Sequence, residues 1–139
     1  MSKRFACHKI SEGKAQAEVV LSQDRIMFYQ IVPATGVVME KAHCLEGKSI
    51  ARKILVFPGG KGSSVVQADG LYQLNMHQNM PAAMVIQFAE PVLVSSAIIM
   101  EVPLVDKVDP AFYDTVQDGD MVLVNADEGY IEILDHQVL

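Results

Sequence analysis

The first fifty residues carry short apolar runs that are typical of β-strands. Residues 17–21 and 26–32 are rich in β-branched and aromatic side chains, and four polar residues separate them. This spacing predicts a hairpin. Pro33 ends the second run, and a short apolar stretch resumes at residues 37–39 before a break at Gly47. The pattern therefore predicts that this part of the chain is mainly β.

The middle of the chain changes from a strand pattern to a helix pattern across a glycine-rich loop. Residues 50–57 end in a continuous apolar run, which predicts a buried strand. In residues 64–78, apolar side chains recur every three or four positions, which predicts a helix that Ser63 or Ser64 caps. Gly70 lowers the helix propensity of this segment. We therefore expect a strand, a loop and a helix in succession.

A further strand, helix and strand follow this unit. Residues 82–88 and residues 102–105 have the apolar, β-branched composition of buried strands. Between them, residues 92–100 form a compact apolar run directly behind Pro91, and proline is favoured at the first position of a helix. The pattern predicts a short helix there.

Turns and apolar runs alternate near the end of the chain. Turn residues at 118–120 and 127–129 each precede an apolar run, at 121–125 and 130–134 respectively, and this arrangement predicts a hairpin. Strands at both ends around a mixed helix and strand middle indicate an α/β protein with more than one small sheet. The chain of 139 residues has the length of one domain, which we take to span residues 1–139.

The net charge argues against a nucleic-acid-binding role. Eleven basic and 17 acidic residues give a net charge of −6, which is the wrong sign for a protein that binds a phosphate backbone. Ten of the acidic residues, but only one basic residue, fall within residues 101–139. This acidic third is either a solvated surface that keeps the protein soluble or a docking surface for a partner.

No segment predicts export or membrane insertion. The basic start, residues 1–4, lacks the following apolar stretch of roughly 7 to 15 residues that a signal peptide needs, and no apolar run approaches the roughly 18 residues of a membrane span. Cys7 and Cys44 have neither zinc nor disulfide spacing, and the four histidines are scattered. We predict a cytoplasmic protein with reduced, structural thiols and no metal site of its own.

The loop at residues 58–64, with the sequence Pro-Gly-Gly-Lys-Gly-Ser-Ser, carries the strongest chemical signal. Its glycines let the backbone approach a ligand, and N–H groups at the helix start act together with the Lys61 ammonium on a carboxylate or phosphate. The spacing is that of neither a Walker A loop nor a GxGxxG motif, so ATP and NAD are not supported. Ser63 or Ser64 is then a potential nucleophile or base, and an ordinary helix-capping serine is the alternative.

Several motifs along the chain resemble one family. They are the loop with its preceding strand at residues 54–64, Pro-Ala-Ala at 81–83, Val-Pro-Leu-Val-Asp at 102–106, Asp-Gly-Asp at 118–120, and upstream segments at 33–38 and 45–48. Together they resemble the small subunit of the aconitase X family over nearly the whole chain. The resemblance implies a swivelling β/β/α domain, similar to the fourth domain of aconitase, with small sheets and two or three short helices.

The family resemblance also implies a function. Members are iron-dependent hydro-lyases in which the small subunit closes over an active site in a separate large subunit, which holds the iron or iron–sulfur cluster. This chain is thus expected to bind no cofactor alone and to be inactive without its partner. The implied substrates are hydroxy acids such as 5-phosphomevalonate, in archaeal members, or cis-3-hydroxy-L-proline, in bacterial ones. The histidine, glutamine and methionine content resembles that of a mesophilic bacterium more than that of a heat-loving archaeon, which favours the hydroxyproline type.

The resemblance assigns Ser63 as the base that removes a proton from the substrate. Gly60, Lys61, Gly62 and Ser64 are then substrate-binding residues that form an anion cradle around it. Lys61 stands where many members have arginine, and a lysine offers a point charge instead of a bidentate fork. The alternative hypothesis is a non-catalytic ligand-binding or interaction module that retains the swivelling fold.

Overall fold

The computed structural model describes residues 3–135 and consists of a curled, mixed β-sheet with three α-helices. The strands are β1 (Lys3–Ala6), β2 (His8–Ser11), β3 (Lys14–Leu21), β4 (Ile54–Val56), β5 (Ala83–Val85), β6 (Leu104–Asp106), β7 (Met121–Asn125) and β8 (Tyr130–Asp135). The helices are α1 (Ser64–Met76), α2 (Pro91–Ile99) and α3 (Ala111–Thr115), and a 3-10 turn covers Phe28–Gln30. Within the described range, no helix is both long enough and apolar enough to span a membrane.

Strand β3 joins an antiparallel part of the sheet to a parallel part. The strand order is β1-β8-β7-β3-β4-β5-β6-β2. The first half of β3 pairs antiparallel with β7, and residues 19–21 at its end pair in parallel with β4. Strands β4, β5 and β6 continue the parallel part, and β2 closes its edge in the antiparallel direction. The predicted α/β class is therefore confirmed.

The two ends of this strand order lie next to each other. Strands β1 and β2 occupy opposite edges, yet Cys7 is the only residue between them in the chain. Consecutive Cα atoms are about 3.8 Å apart, so the sheet has to curl until its edges meet. Backbone hydrogen bonds fix the crossing, because Cys7 donates to Gly129 at 3.0 Å and Asp109 donates to Ala6 at 2.9 Å.

The parallel strands contribute to two separate hydrophobic cores because their side chains alternate between the two faces of the sheet. We call one the strand-lined core; it contains Phe5, Val19, Ile54, Val56, Val85, Val105, Phe112, Val122, Val124 and Ile131. We call the other the helix-covered core; it contains Phe28, Leu55, Phe57, Leu71, Leu74, Met84, Leu93 and Leu104. Helices α1 and α2 cover the second core, whereas α3 packs Phe112 into the first.

The strand predicted at residues 26–32 is wrong, and so is its hairpin with residues 17–21. Both edges of β3 are already paired, with β4 and with β7. Residues 26–32 instead form a 3-10 turn flanked by isolated bridges at Ile26 and Ile31. Ile26, Phe28 and Ile31 are all buried in the helix-covered core. The segment thus has the apolar composition of a strand without its ladder.

Residues 37–39 form no strand either, because Val37 and Val38 make only isolated bridges, so the first fifty residues are less rich in strand than predicted. The remaining predicted elements are confirmed, most with shorter bounds. They are β4, α1, β5, α2, β6 and the β7–β8 hairpin. The pattern analysis does not predict β1, β2 or α3, which have four, four and five residues. Gly70 sits inside α1 because a Cβ there would lie 2.6 Å from backbone atoms of Phe28 and Tyr29. The glycine lowers helix propensity but lets α1 touch the 3-10 turn.

Candidate functional site

The glycine-rich loop lies at the carboxyl ends of the parallel strands, where α/β proteins commonly bind ligands. It follows β4, and the segments after β3 and β5 flank it. Two backbone hydrogen bonds attach it to the segment after β3. Ile26 donates to the Gly59 carbonyl at 3.0 Å, and Lys61 donates to the Ile26 carbonyl at 3.0 Å. The loop is therefore held in place by a neighbouring loop and not by a strand ladder.

Gly60 and Gly62 have different structural reasons for being glycine. A Cβ on Gly60 would lie 2.4 Å from Nε2 of Gln67, a buried side chain of α1. That amide donates to Oε1 of Glu90, which also caps the start of α2 by accepting from the backbone N–H of Leu93. Gly62 is exposed and has a φ of +104°, a conformation that other residues rarely adopt. Gly60 thus packs inward, while Gly62 turns the chain.

Of the two serines that the sequence offers as a cap, Ser63 is the N-cap of α1. Its Oγ accepts from the backbone N–H of Val66 at 3.4 Å, which is longer than a usual hydrogen bond. Both Ser63 and Ser64 are exposed, and Ser64 is the first residue of the helix. The Ser63 hydroxyl is therefore accessible at the positive end of the α1 dipole.

Lys61 forms an ion pair that the sequence analysis does not predict. Its Nζ contacts Oε2 of Glu40, a partly buried carboxylate that lies 21 residues upstream. The second oxygen, Oε1, is buried, and within residues 3–135 no hydrogen-bond donor reaches it. Glu40 thus offsets the Lys61 charge and fixes the position of the ammonium. No local motif marks Glu40, because it lies in an irregular segment.

Arg25 is a second cation that the sequence analysis misses. It follows β3, and its guanidinium carbon lies 5.0 Å from the ring centre of Phe88, which follows β5. Its Nη1 donates to the Gly60 carbonyl at 3.4 Å. Arg25 therefore bridges the loops that follow three adjacent strands.

These groups line an open cleft of about 660 Å³. Its walls are residues 23–25, 40–43, 58–61 and 87–88, which we call the cleft loops. The cations that line the cleft are Arg25, Lys41 and Lys61, and the carboxylates are Asp24 and Glu40. The structure brings Gly60 and Lys61 to this cleft, whereas Gly62, Ser63 and Ser64 continue from its edge into α1.

Asp24, His43 and Cys44 lie close together, and the side chains of Asp24 and His43 form hydrogen bonds with backbone groups in and beside the cleft loops. Oδ2 of Asp24 accepts from the backbone N–H of Cys44 at 2.9 Å, and this bond lowers the pKa of Asp24. Nδ1 of His43 accepts from the Leu45 N–H at 3.0 Å, so its proton is assigned to Nε2, which donates to the Arg25 carbonyl at 3.0 Å. With both ring nitrogens occupied, the trio does not fit a metal ion.

The two cysteines are free thiols in different surroundings. Cys44 is exposed in the turn beside the cleft, whereas Cys7 is partly buried between β1 and β2. Burial, followed by the charge of Asp106, raises the pKa of Cys7 from 9.0 to about 11. No contact within residues 3–135 joins either thiol to Ser63.

The curled mixed sheet, the helix layer and the serine at the end of a glycine-rich loop define a β/β/α domain with a candidate anion-binding loop. The chain belongs to the aconitase X swivel domain family, whose family model matches residues 4–133. The predicted family and fold are therefore confirmed.

Relatives and solved structures agree with this assignment. The chain is 48% identical over 132 residues to the phosphomevalonate dehydratase small subunit of Methanosarcina mazei, covering 94% of this chain and 91% of that protein. It is 40% identical to the same subunit of Archaeoglobus fulgidus, covering 95% and 99% of the two chains. The crystal structure of holo aconitase X from Thermococcus kodakaraensis superposes with a TM-score of 0.86 at 38% identity, covering 96% of this chain and 99% of that chain.

Proposed function

We propose that this chain is the small subunit of a dehydratase that assembles with a large subunit of the aconitase X type. Relatives at 40–48% identity that are named dehydratase small subunits support this proposal, and they match over most of their own length. In this proposal the large subunit holds the iron or iron–sulfur cluster, which supplies a Lewis acid for the departing hydroxide. The described residues of this chain offer no fitting ligand set, because the ring nitrogens of His43 are occupied.

Ser63 is the proposed base of the reaction. Dehydration breaks a C–H bond and a C–O bond on adjacent carbons: the proton goes to the base, its electron pair forms the double bond, and hydroxide leaves. Ser63 Oγ would accept that proton as an alkoxide, which the N–H groups at the start of α1 would stabilise, with Lys61 adding a positive charge two residues earlier in the loop. The observation that carries the proposal is its accessible hydroxyl, whose only capping bond is 3.4 Å long.

The other loop residues have distinct roles in this proposal. Gly62, at a φ of +104°, turns the chain so that α1 starts at the loop, and Ser64 offers a backbone N–H and a hydroxyl at the first helical position. Gly60 permits close packing of the loop on Gln67, so that its backbone lies at the cleft. Lys61 retains two ammonium protons for substrate while the third is held by Glu40.

The names of the relatives favour 5-phosphomevalonate as the substrate. The relatives at 40–48% identity are named phosphomevalonate dehydratase small subunits. This outweighs the composition argument for a hydroxyproline-type substrate, because amino-acid content reflects habitat more than chemistry. We therefore propose a phosphorylated hydroxy acid, which carries both a carboxylate and a phosphate.

The face that bears Ser63 is the proposed contact with the large subunit. Val65, Tyr72 and Met76 form an exposed apolar stripe along α1, and Val65 is 80% exposed. Their spacing of seven and four residues places them on one side of the helix. Because this stripe begins two residues after Ser63, docking through it would bring the hydroxyl to the partner's active site.

The test is turnover of the complex reconstituted from both subunits. We expect Ser63→Ala to lower kcat by on the order of 10²-fold or more. Loss of the cap costs about 1 kcal/mol of stability, so Ser63→Asn is the matched variant, since asparagine caps as well as serine but has no hydroxyl. Both variants should assemble and be equally inactive, and Ser95→Ala, an exposed serine on α2, should behave as wild type.

Turnover close to wild type in Ser63→Asn would contradict the catalytic role. Ser63 would then be an ordinary helix cap, and the non-catalytic ligand-binding or interaction module would become the better account of the fold.

A further inference from the structure

Among the residues that the structure describes, the cleft is lined by two cations besides Lys61, the one that the loop motif predicts. The three differ in whether a carboxylate pairs with them. Lys61 is paired with Glu40, whose other oxygen has no donor within residues 3–135. Lys41 is exposed and forms no ion pair with any described residue. Arg25 also has no carboxylate partner there, yet its head is fixed by two contacts. Arg25 is thus the exposed cation of the cleft whose guanidinium makes contacts with the neighbouring loops but pairs with no carboxylate among the described residues.

Hydrogen bonds at residues 24, 25 and 26 hold the backbone around Arg25 in place. Ser22 Oγ donates to the Asp24 carbonyl at 2.7 Å, and the Arg25 carbonyl accepts from the buried ring of His43 at 3.0 Å. The next residue, Ile26, is joined to the glycine-rich loop through Gly59. The base of the arginine side chain therefore has a defined position relative to the loop.

The guanidinium of Arg25 is also oriented. It stacks over Phe88, and of its five N–H donors only one has an acceptor among the described residues, the Gly60 carbonyl at 3.4 Å. A planar guanidinium presents paired donors that match the two oxygens of a carboxylate or phosphate, and stacking reduces the entropy lost on binding. The remaining donors belong to a residue that lines the open cleft.

We propose that Arg25 is a specificity-determining residue that binds an oxyanion of the substrate in the cleft, while Glu40 holds the ammonium of Lys61 in an ion pair. The assignment rests on the proposed dehydratase function. It gives the cleft a planar, paired donor that the point charge of Lys61 does not supply. The oxyanion is either the carboxylate or the phosphate of the same substrate, and the two sources are separated by experiment.

The first experiment measures KM and kcat of the reconstituted complex with 5-phosphomevalonate. Arg25→Gln should raise KM by about 10- to 100-fold, the range expected for one charge-assisted pair, with a smaller change in kcat. Arg25→Lys should give an intermediate KM, because it keeps the charge without the fork. Lys48→Gln, which removes an exposed charge outside the cleft, is the control and should leave KM unchanged.

A second variant separates a substrate contact from a structural role. Glu40→Gln releases the Lys61 ammonium, so the double variant Arg25→Gln with Glu40→Gln should recover part of the lost affinity. A purely structural effect of Arg25 would make the double variant worse than either single one. An Arg25→Gln KM within threefold of wild type, or the absence of any recovery, would overturn the assignment.

Competitive inhibition by mevalonate, the substrate without its phosphate, identifies the bound group. If Arg25 binds phosphate, Arg25→Gln weakens binding of 5-phosphomevalonate but not of mevalonate; if it binds carboxylate, both weaken equally. Unchanged binding of both would contradict the proposal. The Ser63→Asn variant tests the dehydratase function separately from the role of Arg25. If Ser63→Asn is inactive while Arg25→Gln has a normal KM, only the role of Arg25 is rejected.

Discussion

The strand-lined core and the cleft loops are stabilised by different forces. In the strand-lined core, buried apolar side chains alternate along paired strands, and the backbone is satisfied by the ladders of β1, β3, β7 and β8. The cleft loops contain no strand, and side chains such as Asp24 and His43 satisfy their backbone groups instead. The stability of the strand-lined core thus depends on the volume of its buried side chains, whereas the cleft loops depend on individual hydrogen bonds. Different substitutions should therefore destabilise the two regions.

The largest expected effect is on the strand-lined core. Phe112 is fully buried, and its ring makes edge contacts with Phe5 and Tyr113 at centroid distances of 5.7 and 5.4 Å. Phe112→Ala should lower the free energy of unfolding by about 3–5 kcal/mol, because it removes a large buried side chain and leaves a cavity. Denaturant unfolding measures the loss. The folded fraction should keep the wild-type KM, and a raised KM would show that the two regions are coupled.

Substitution of His43 beside Arg25 should cost less stability than the loss of Phe112, but it should also weaken substrate binding. His43→Leu leaves the Leu45 N–H and the Arg25 carbonyl without their partner, at a cost of about 1–3 kcal/mol. Because Arg25 loses an anchor, KM should rise as well. His43→Gln, which offers a donor and an acceptor, should recover part of both effects. A destabilised His43→Leu with an unchanged KM would show that the Arg25 position does not depend on His43.

The smallest expected effect is on the reactivity of the two thiols, since Cys7 packs against the strand-lined core and Cys44 lies beside the cleft loops. At pH 8, iodoacetamide should modify the exposed Cys44 first, because a pKa of about 11 leaves only about 0.1% of Cys7 as thiolate. Since folding raises this pKa from 9.0, the neutral thiol is favoured in the folded state, and its stabilising contribution declines as the pH rises from about 9 to about 11. Peptide mass spectrometry gives both rates, and equal rates would contradict the buried environment of Cys7.

The features that the sequence predicts are those whose cause is local. The helix at α1 and the β7–β8 hairpin follow from apolar spacing and turn residues within about fifteen positions. The Ser63 cap and the position of Lys61 follow from seven adjacent residues. At residues 26–32 the same reasoning fails, because Phe28 is buried by contact with α1, more than thirty residues later in the chain, and not by a neighbouring strand.

The electrostatics of the cleft could not be predicted for the same reason. Glu40, Arg25 and Phe88 have no spacing that relates them to the glycine-rich loop. They meet Lys61 and Gly60 only because the loops after β3, β4 and β5 end at one edge of the sheet. Gly70 is similar: in the sequence it weakens a helix, and in the fold it is the point where α1 touches the 3-10 turn.

The sequence by itself determined the α/β class, the order of most elements and a serine at the start of a helix behind a glycine-rich loop. These properties depend on side-chain periodicity and turn chemistry, which act over a few residues. Only the tertiary structure decided that the sheet closes through Cys7, that Glu40 pairs with Lys61 and that Arg25 meets no carboxylate within residues 3–135. Those outcomes depend on which distant segments the packed strands bring together, and that is a property of the whole chain.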